Sequence, residues 1–178
     1  MPVINEGHTD FGENKVQEAM EKWTSIKQDF PKINLHLIGK LQTNKVKFVL
    51  PLFDYIHSLD SLKLASKISN EQTKKNFRPK IFIQVNIGEE AQKSGIEVCN
   101  LNNFYEKCVN EFKLNIIGLM CIPPFEKETQ PYFVEMKKLS QNLGLKDISM
   151  GMSDDYLEAI KHGSTFIRVG SKIFGARG

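Results

Sequence analysis

Two stretches towards the C-terminal end carry residues suited to holding an anion. Gly151-Met152-Ser153-Asp154-Asp155 follows one apolar run and precedes an amphipathic one. A strand that passes into a helix there leaves backbone N–H groups free to donate to an anion. Taken alone, Ser153 reads as an ordinary helix N-cap, and the two aspartates suit the positive end of the helix. Arg168-Val169-Gly170-Ser171 closes the next apolar run. Gly170 permits close backbone approach, and Ser171 adds an N–H and a hydroxyl. Arg168 alone reads equally as one half of a buried ion pair. Together the two segments point to a phosphate, because many α/β barrels hold phosphate after their last two strands.

Earlier positions add polar groups at other strand ends. Asn14 lies in Phe11-Gly12-Glu13-Asn14, and His36 opens His36-Leu37-Ile38-Gly39-Lys40-Leu41-Gln42-Thr43-Asn44-Lys45. Singly, Asn14 is a turn residue, Asn44 a helix cap and His36 a satisfied interior histidine. Ser94-Gly95-Ile96 reads as a turn, and Met120 in Gly118-Leu119-Met120 as core filling.

The elements that must position these groups alternate regularly. A short strand at Asp10–Asn14 precedes a helix over Val16–Ile26, with Val16, Ala19, Met20, Trp23 and Ile26 on one face. Strands follow at Leu35–Gly39, Tyr55–Leu59, Lys80–Ile87, Asn115–Ile122, Ile148–Met152 and Phe166–Val169. Helices are expected at Lys45–Leu50, Ser61–Gln72, Leu101–Glu111, Pro131–Leu143 and Ser153–His162, with Gly144 and Gly163 as helix stops. Near-continuous apolar strands such as Lys80–Ile87 belong to buried parallel sheets. Strict alternation of strand and helix means α/β, and seven strands fall one short of a complete (β/α)8 TIM barrel.

Composition narrows the function. The 178 residues carry a formal net charge of only +3, with Lys and Arg spread along the chain. A nucleic-acid partner would call for a concentrated basic face. Cys99, Cys108 and Cys121 show no paired spacing, so neither a disulfide scaffold nor a metal site is expected. His8, His36, His57 and His162 are scattered. The first residues do not resemble a signal peptide, and no apolar run has transmembrane length, so a cytoplasmic location without membrane contact is expected.

In order, the segments FGENKVQEA, HLIGKLQTNK, HSLDS, QVNI, KSGI, GLMCIPP, MGMSDD, GST and IRVGSKIFGAR resemble the YggS/PROSC family. That family shares the fold of the alanine racemase N-terminal domain, and the match runs from Gly7 onward. The resemblance implies an alanine racemase N-terminal-like barrel that binds pyridoxal 5′-phosphate (PLP) and serves intracellular PLP homeostasis without catalytic turnover. It implies that Ser153, Gly170 and Ser171 hold the phosphate and that Arg168 faces the pyridine nitrogen. Asn14, His36 and Met120 would line the pocket wall, with Lys45 a weaker candidate at its mouth. Possible partners are PLP-dependent apoenzymes.

The family carries its Schiff-base lysine on a first strand, in a segment like AVSKTKP, and these 178 residues contain no such segment. Residues 1–178 therefore read as a single PLP-binding barrel domain, truncated at its N-terminus relative to the family, in which PLP is held non-covalently. Lys40, Lys45 and Lys172 lie nearest the site motifs, each readable as a solvated residue. Two other functions stay open on the residues alone. One is a minimal PLP-dependent racemase or an enzyme acting on a phosphorylated metabolite. The other is an interaction protein with a vestigial PLP site.

Overall fold

A computed structural model describes residues 2–125 and 127–175. The Ala176-Arg177 end of the last motif lies outside the described residues. After one helical turn (α1, Pro2–Asn5), β1 (Asp10–Glu13), β2 (Asn34–Leu37), β3 (Tyr55–Leu59) and β4 (Lys80–Val85) follow. β5 (Ile116–Cys121), β6 (Asp147–Met152) and β7 (Phe166–Arg168) complete a seven-stranded sheet. All pairings are parallel, and the spatial order is the sequence order. Between the strands lie α2 (Val16–Asp29), α3 (Val46–Val49), α4 (Leu62–Lys75), α5 (Leu101–Asn110), α6 (Gln130–Asn142) and α7 (Tyr156–Lys161), and α8 (Ser171–Phe174) follows β7.

Local chemistry sets these limits. Ser61 Oγ accepts the Leu64 N–H and starts α4, which presents Leu64, Ala65 and Ile68 to the sheet and stops at Asn76 in the left-handed region. α6 buries Phe133, Met136 and Ser140, and Gly144 follows it at φ +66°. The strand expected over Lys80–Ile87 ends at Val85. Asn86 turns the chain there, its side chain bonding both the N–H and the carbonyl of Glu90. The helix expected from Lys45 is preceded by a 3₁₀ turn, Thr43–Lys45, and Asn44 makes no capping bond.

Side-chain contacts show that the sheet is curled. In a flat sheet β3 and β6 would lie about 14 Å apart and β2 and β7 about 24 Å. Yet His57 of β3 hydrogen-bonds Ser149 of β6, and the Phe166 ring of β7 sits 5.8 Å from the His36 ring of β2. One face of the sheet thus lines a barrel interior and the other packs under the helices. Leu35, Leu37, Ile56, Ile81, Ile83 and Leu119 are buried in the outer core. Tyr55, Phe82 and Met120 form an inner cluster with Ile117 and Phe166. β1 and β7 are the two edges of the sheet, so the barrel is incomplete, as its seven strands imply.

Candidate functional site

β6 bulges against β7. Ser149 pairs with Phe166 and Met152 with Arg168, so β6 spends one more residue than its partner over the same span. Gly151 absorbs the bulge at φ +90°, and a Cβ there would lie 2.6 Å from the Ala159 Cβ. The bulge carries Ser153 to the end of β7, where its Oγ accepts the Gly170 N–H at 3.2 Å. The capping role expected for Ser153 is therefore replaced by a tie between two loops. The helix starts later, at Tyr156, and Asp155 is turned back to accept the Met152 N–H through Oδ1 at 2.6 Å.

This arrangement gathers donors. The N–H groups of Ser153, Asp154, Ser171 and Lys172 have no acceptor among the described residues. A Cβ added at Gly170 would meet nothing within 4 Å, so the space over that residue is open. Arg168 reaches inward from β7 and donates through Nη1 to Ser149 Oγ (2.6 Å) and through Nη2 to the Cys121 carbonyl (2.8 Å). Burial lowers its pKa, but a guanidinium stays charged at any ordinary pH. Its remaining N–H groups have no acceptor, and no carboxylate pairs with it, among the described residues. Cys121, beside it, is held as a neutral thiol, its pKa pushed up by burial to about 12.

Ser153, Gly170 and Ser171 thus meet at one corner, with Arg168 two residues before Gly170. His36 does not touch that corner. It is buried in the barrel and joins Arg168 through His57 and Ser149, two residues that sequence reasoning did not assign. Their signal was present: His36, Tyr55, His57, Ser149 and Arg168 are polar or amphipathic positions in otherwise apolar strands. Met120 is fully buried in one cluster with Tyr55 and Phe82. Asn14 lies elsewhere on the rim, in a cleft of about 410 Å³ with Gly39, Lys40, Gln84, Lys93 and Ser94. Gly39 is required there, since a Cβ would lie 2.0 Å from the Asn14 carbonyl oxygen. Lys45 is half-buried in its 3₁₀ turn, and the Lys172 ammonium sits 5.1 Å over the Tyr156 ring.

This curled, all-parallel strand-and-helix architecture is shared with known proteins. The family model for the alanine racemase N-terminal domain matches residues 1–178, and the chain belongs to the YggS/PROSC family of pyridoxal phosphate homeostasis proteins within that fold. It is 38% identical over 176 residues to the pyridoxal phosphate homeostasis protein of Aquifex aeolicus, covering 94% of this chain and 76% of that one. Against the protein of the same name from Haemophilus influenzae it is 38% identical over 183 residues, covering 96% and 76%. The structure of PipY from Synechococcus elongatus without PLP superposes with a TM-score of 0.90 at 34% identity, covering 98% of this chain and 85% of that one. The PLP-bound form of PipY gives 0.88 at the same identity and coverage. Alanine racemase of Clostridium difficile, at 12% identity and a TM-score of 0.76, covers 99% of this chain and 47% of its own and shares the fold. Among the described residues no helix is long and apolar enough to cross a membrane.

Proposed function

We propose that this chain binds PLP at the junction of the β6 and β7 ends and serves cytoplasmic PLP homeostasis without catalytic turnover, passing the cofactor to PLP-dependent apoenzymes. The observation that carries the reading is the tie between Ser153 Oγ and the Gly170 N–H beside an inward-facing Arg168. The residues fit the group. Unpartnered N–H groups of Ser153, Asp154, Ser171 and Lys172 suit a phosphate. Arg168 has N–H groups left for an acceptor such as a ring nitrogen. The PLP-bound structure of PipY and the names of the relatives support the same assignment.

When bound, PLP supplies an electron sink for carbanions. Arg168 works against that use. It can only donate, so it holds a partner ring nitrogen unprotonated, and an unprotonated pyridine draws electrons poorly. Ser153 keeps the two phosphate-facing loops together, and Gly170 leaves the approach clear. Direct titration with PLP, followed by cofactor fluorescence, tests the assignment. Ser153→Ala with Gly170→Ala should weaken binding at least about tenfold, as expected for lost bonds to a charged group. Unchanged affinity would place the site elsewhere, and turnover of an amino acid by the PLP-loaded protein would overturn the non-catalytic role.

A further inference from the structure

The barrel interior holds polar groups that packing alone does not require. His36, His57 and Ser149 are 5%, 1% and 0% exposed. They form a continuous run between Arg168 and Asp10. Ser149 Oγ lies 2.6 Å from Arg168 Nη1 and 2.9 Å from His57 Nδ1. His57 Nε2 is 3.0 Å from His36 Nδ1, and His36 Nε2 is 3.0 Å from Asp10 Oδ1. Aromatic rings clamp both imidazoles: Tyr55 stacks on His36 at 4.1 Å and Phe82 on His57 at 4.3 Å, with Phe166 edge-on to His57 and Phe82.

The protons of this run can be placed from chemistry. Arginine only donates, so Ser149 Oγ accepts from it. The Ser149 hydrogen then goes to His57 Nδ1, which leaves the His57 hydrogen on Nε2, donating to His36 Nδ1. His36 in turn carries its hydrogen on Nε2 and donates to the Asp10 carboxylate. Each bond within the run has one donor and one acceptor, both imidazoles are neutral, and all bonds point from Arg168 towards Asp10. One added proton, held on His36 beside Asp10, breaks the pattern. His36 Nδ1 then donates, the His57 hydrogen moves to Nδ1, and Ser149 must accept from both sides. Its own hydrogen is left without a partner next to Arg168.

We propose that Ser149, His57 and His36 are positioning residues for Arg168, a one-way run of hydrogen bonds that aims the guanidinium at its ligand and carries the protonation state of the Asp10 end of the barrel to it. The ligand part of this inference rests on the PLP reading, and the proton arrangement does not. The charged and titratable groups facing His36 are Asp10, His57, Tyr55, Asp54 and Lys80, the last bonded to Tyr55 Oη; those facing His57 are His36 and Arg168. Burial holds both imidazoles below their ordinary pKa, most strongly His57, so the neutral run prevails at neutral pH.

Two measurements on the full 178-residue chain test this. Long-range proton–nitrogen NMR correlations of the histidine rings, without PLP, should show His36 and His57 as neutral Nε2–H tautomers. On acidification the two should convert together, because a proton gained at His36 Nδ1 forces the His57 hydrogen onto its Nδ1. A His57 hydrogen on Nδ1 at neutral pH, or independent conversion in the wild type, overturns the arrangement. PLP titration across the same pH range should then show binding that weakens as His36 gains its proton. Ser149→Ala should raise the Kd about tenfold and lose that pH dependence, while Ser149→Thr, which keeps the hydroxyl, stays within about twofold of wild type. A folded Ser149→Ala protein with unchanged Kd and pH profile overturns the positioning role. Failure of every variant and of the wild type to bind PLP would sink the PLP reading instead, and the tautomer measurement would still decide the run.

Discussion

His57 Nε2 faces His36 Nδ1 at 3.0 Å, so only one of these two nitrogens can carry a hydrogen. Both rings are held below the ordinary histidine pKa of 6.5 by burial, although Asp10 pulls His36 partly back. The unfolded chain therefore binds more protons than the folded one between the lowered native values and 6.5. This contribution to stability is complete above pH 6.5 and is lost as pH falls below it. Urea unfolding from neutral pH downward should show stability dropping with acid, and His57→Phe, which removes the more strongly depressed imidazole, should flatten that slope. An equal slope in the variant would mean that His57 does not stay neutral in the fold.

Gly151 and Gly170 should respond in opposite ways to the same small change. Gly151→Ala places a Cβ 2.6 Å from Ala159 Cβ at φ +90°, so it should cost about 2–4 kcal/mol of stability. Gly170→Ala meets open space and should leave thermal unfolding unchanged while weakening PLP binding. Thermal melts paired with PLP titration check both. A Gly170→Ala protein that binds as well as wild type would show that nothing approaches that backbone.

The three cysteines are free and differ in reach. Cys108 and Cys121 are buried, with thiol pKa values pushed up by burial to about 12, whereas Cys99 is exposed. Only the thiolate reacts with alkylating agents. Native labelling should modify Cys99 alone, and the other two should react only on unfolding. Mass spectrometry after iodoacetamide decides this, and early labelling of Cys121 would show that the core between sheet and helices opens readily.

Covalent capture of PLP should fail in this chain. Lys40 lines the Asn14 cleft, Lys45 sits in its turn and Lys172 rides over Tyr156, three separate places each consistent with a solvated role. Borohydride treatment after PLP incubation should fix no pyridoxyl group at a unique lysine. A single stoichiometric modified lysine on peptide mapping would identify an attachment site among residues 1–178.

The two sheet edges should make the 178-residue chain self-associate. Among the described residues β1 and β7 have no partner on their outer sides, and Ile167 of β7 is 41% exposed, with Ile173 and Phe174 exposed beyond it. Unpaired apolar edges invite pairing between chains. Analytical ultracentrifugation should find concentration-dependent species larger than a monomer. A strictly monomeric protein at high concentration would count against this.

The seven strands and their order were legible because each apolar run had its own amphipathic partner. Strand and helix limits were less so where side chains compete with the ladder. Asn86 ended β4 early through its bonds to Glu90, and Asp155 and Ser153 delayed α7 by taking backbone hydrogens elsewhere. The meeting of Ser153 with Gly170 was legible from their places at consecutive strand ends. The interior run was not. Alternation marks His57 and Ser149 as facing the barrel axis, but nothing local says that residues 92 positions apart meet across it.

The sequential strand order bears on how the chain acquires its structure during synthesis. Each strand pairs with the one made just before it, so the sheet can grow in the direction of translation without waiting for distant segments. The interior histidines are the exception. His36 and His57 are in place once β3 has formed, but the hydroxyl that His57 Nδ1 requires arrives only with β6. Until then a nascent chain carries an imidazole nitrogen without its native partner, a cost that Ser149 removes as β6 docks. Docking of β6 is then the step that completes the hydrogen bonding of the interior histidines.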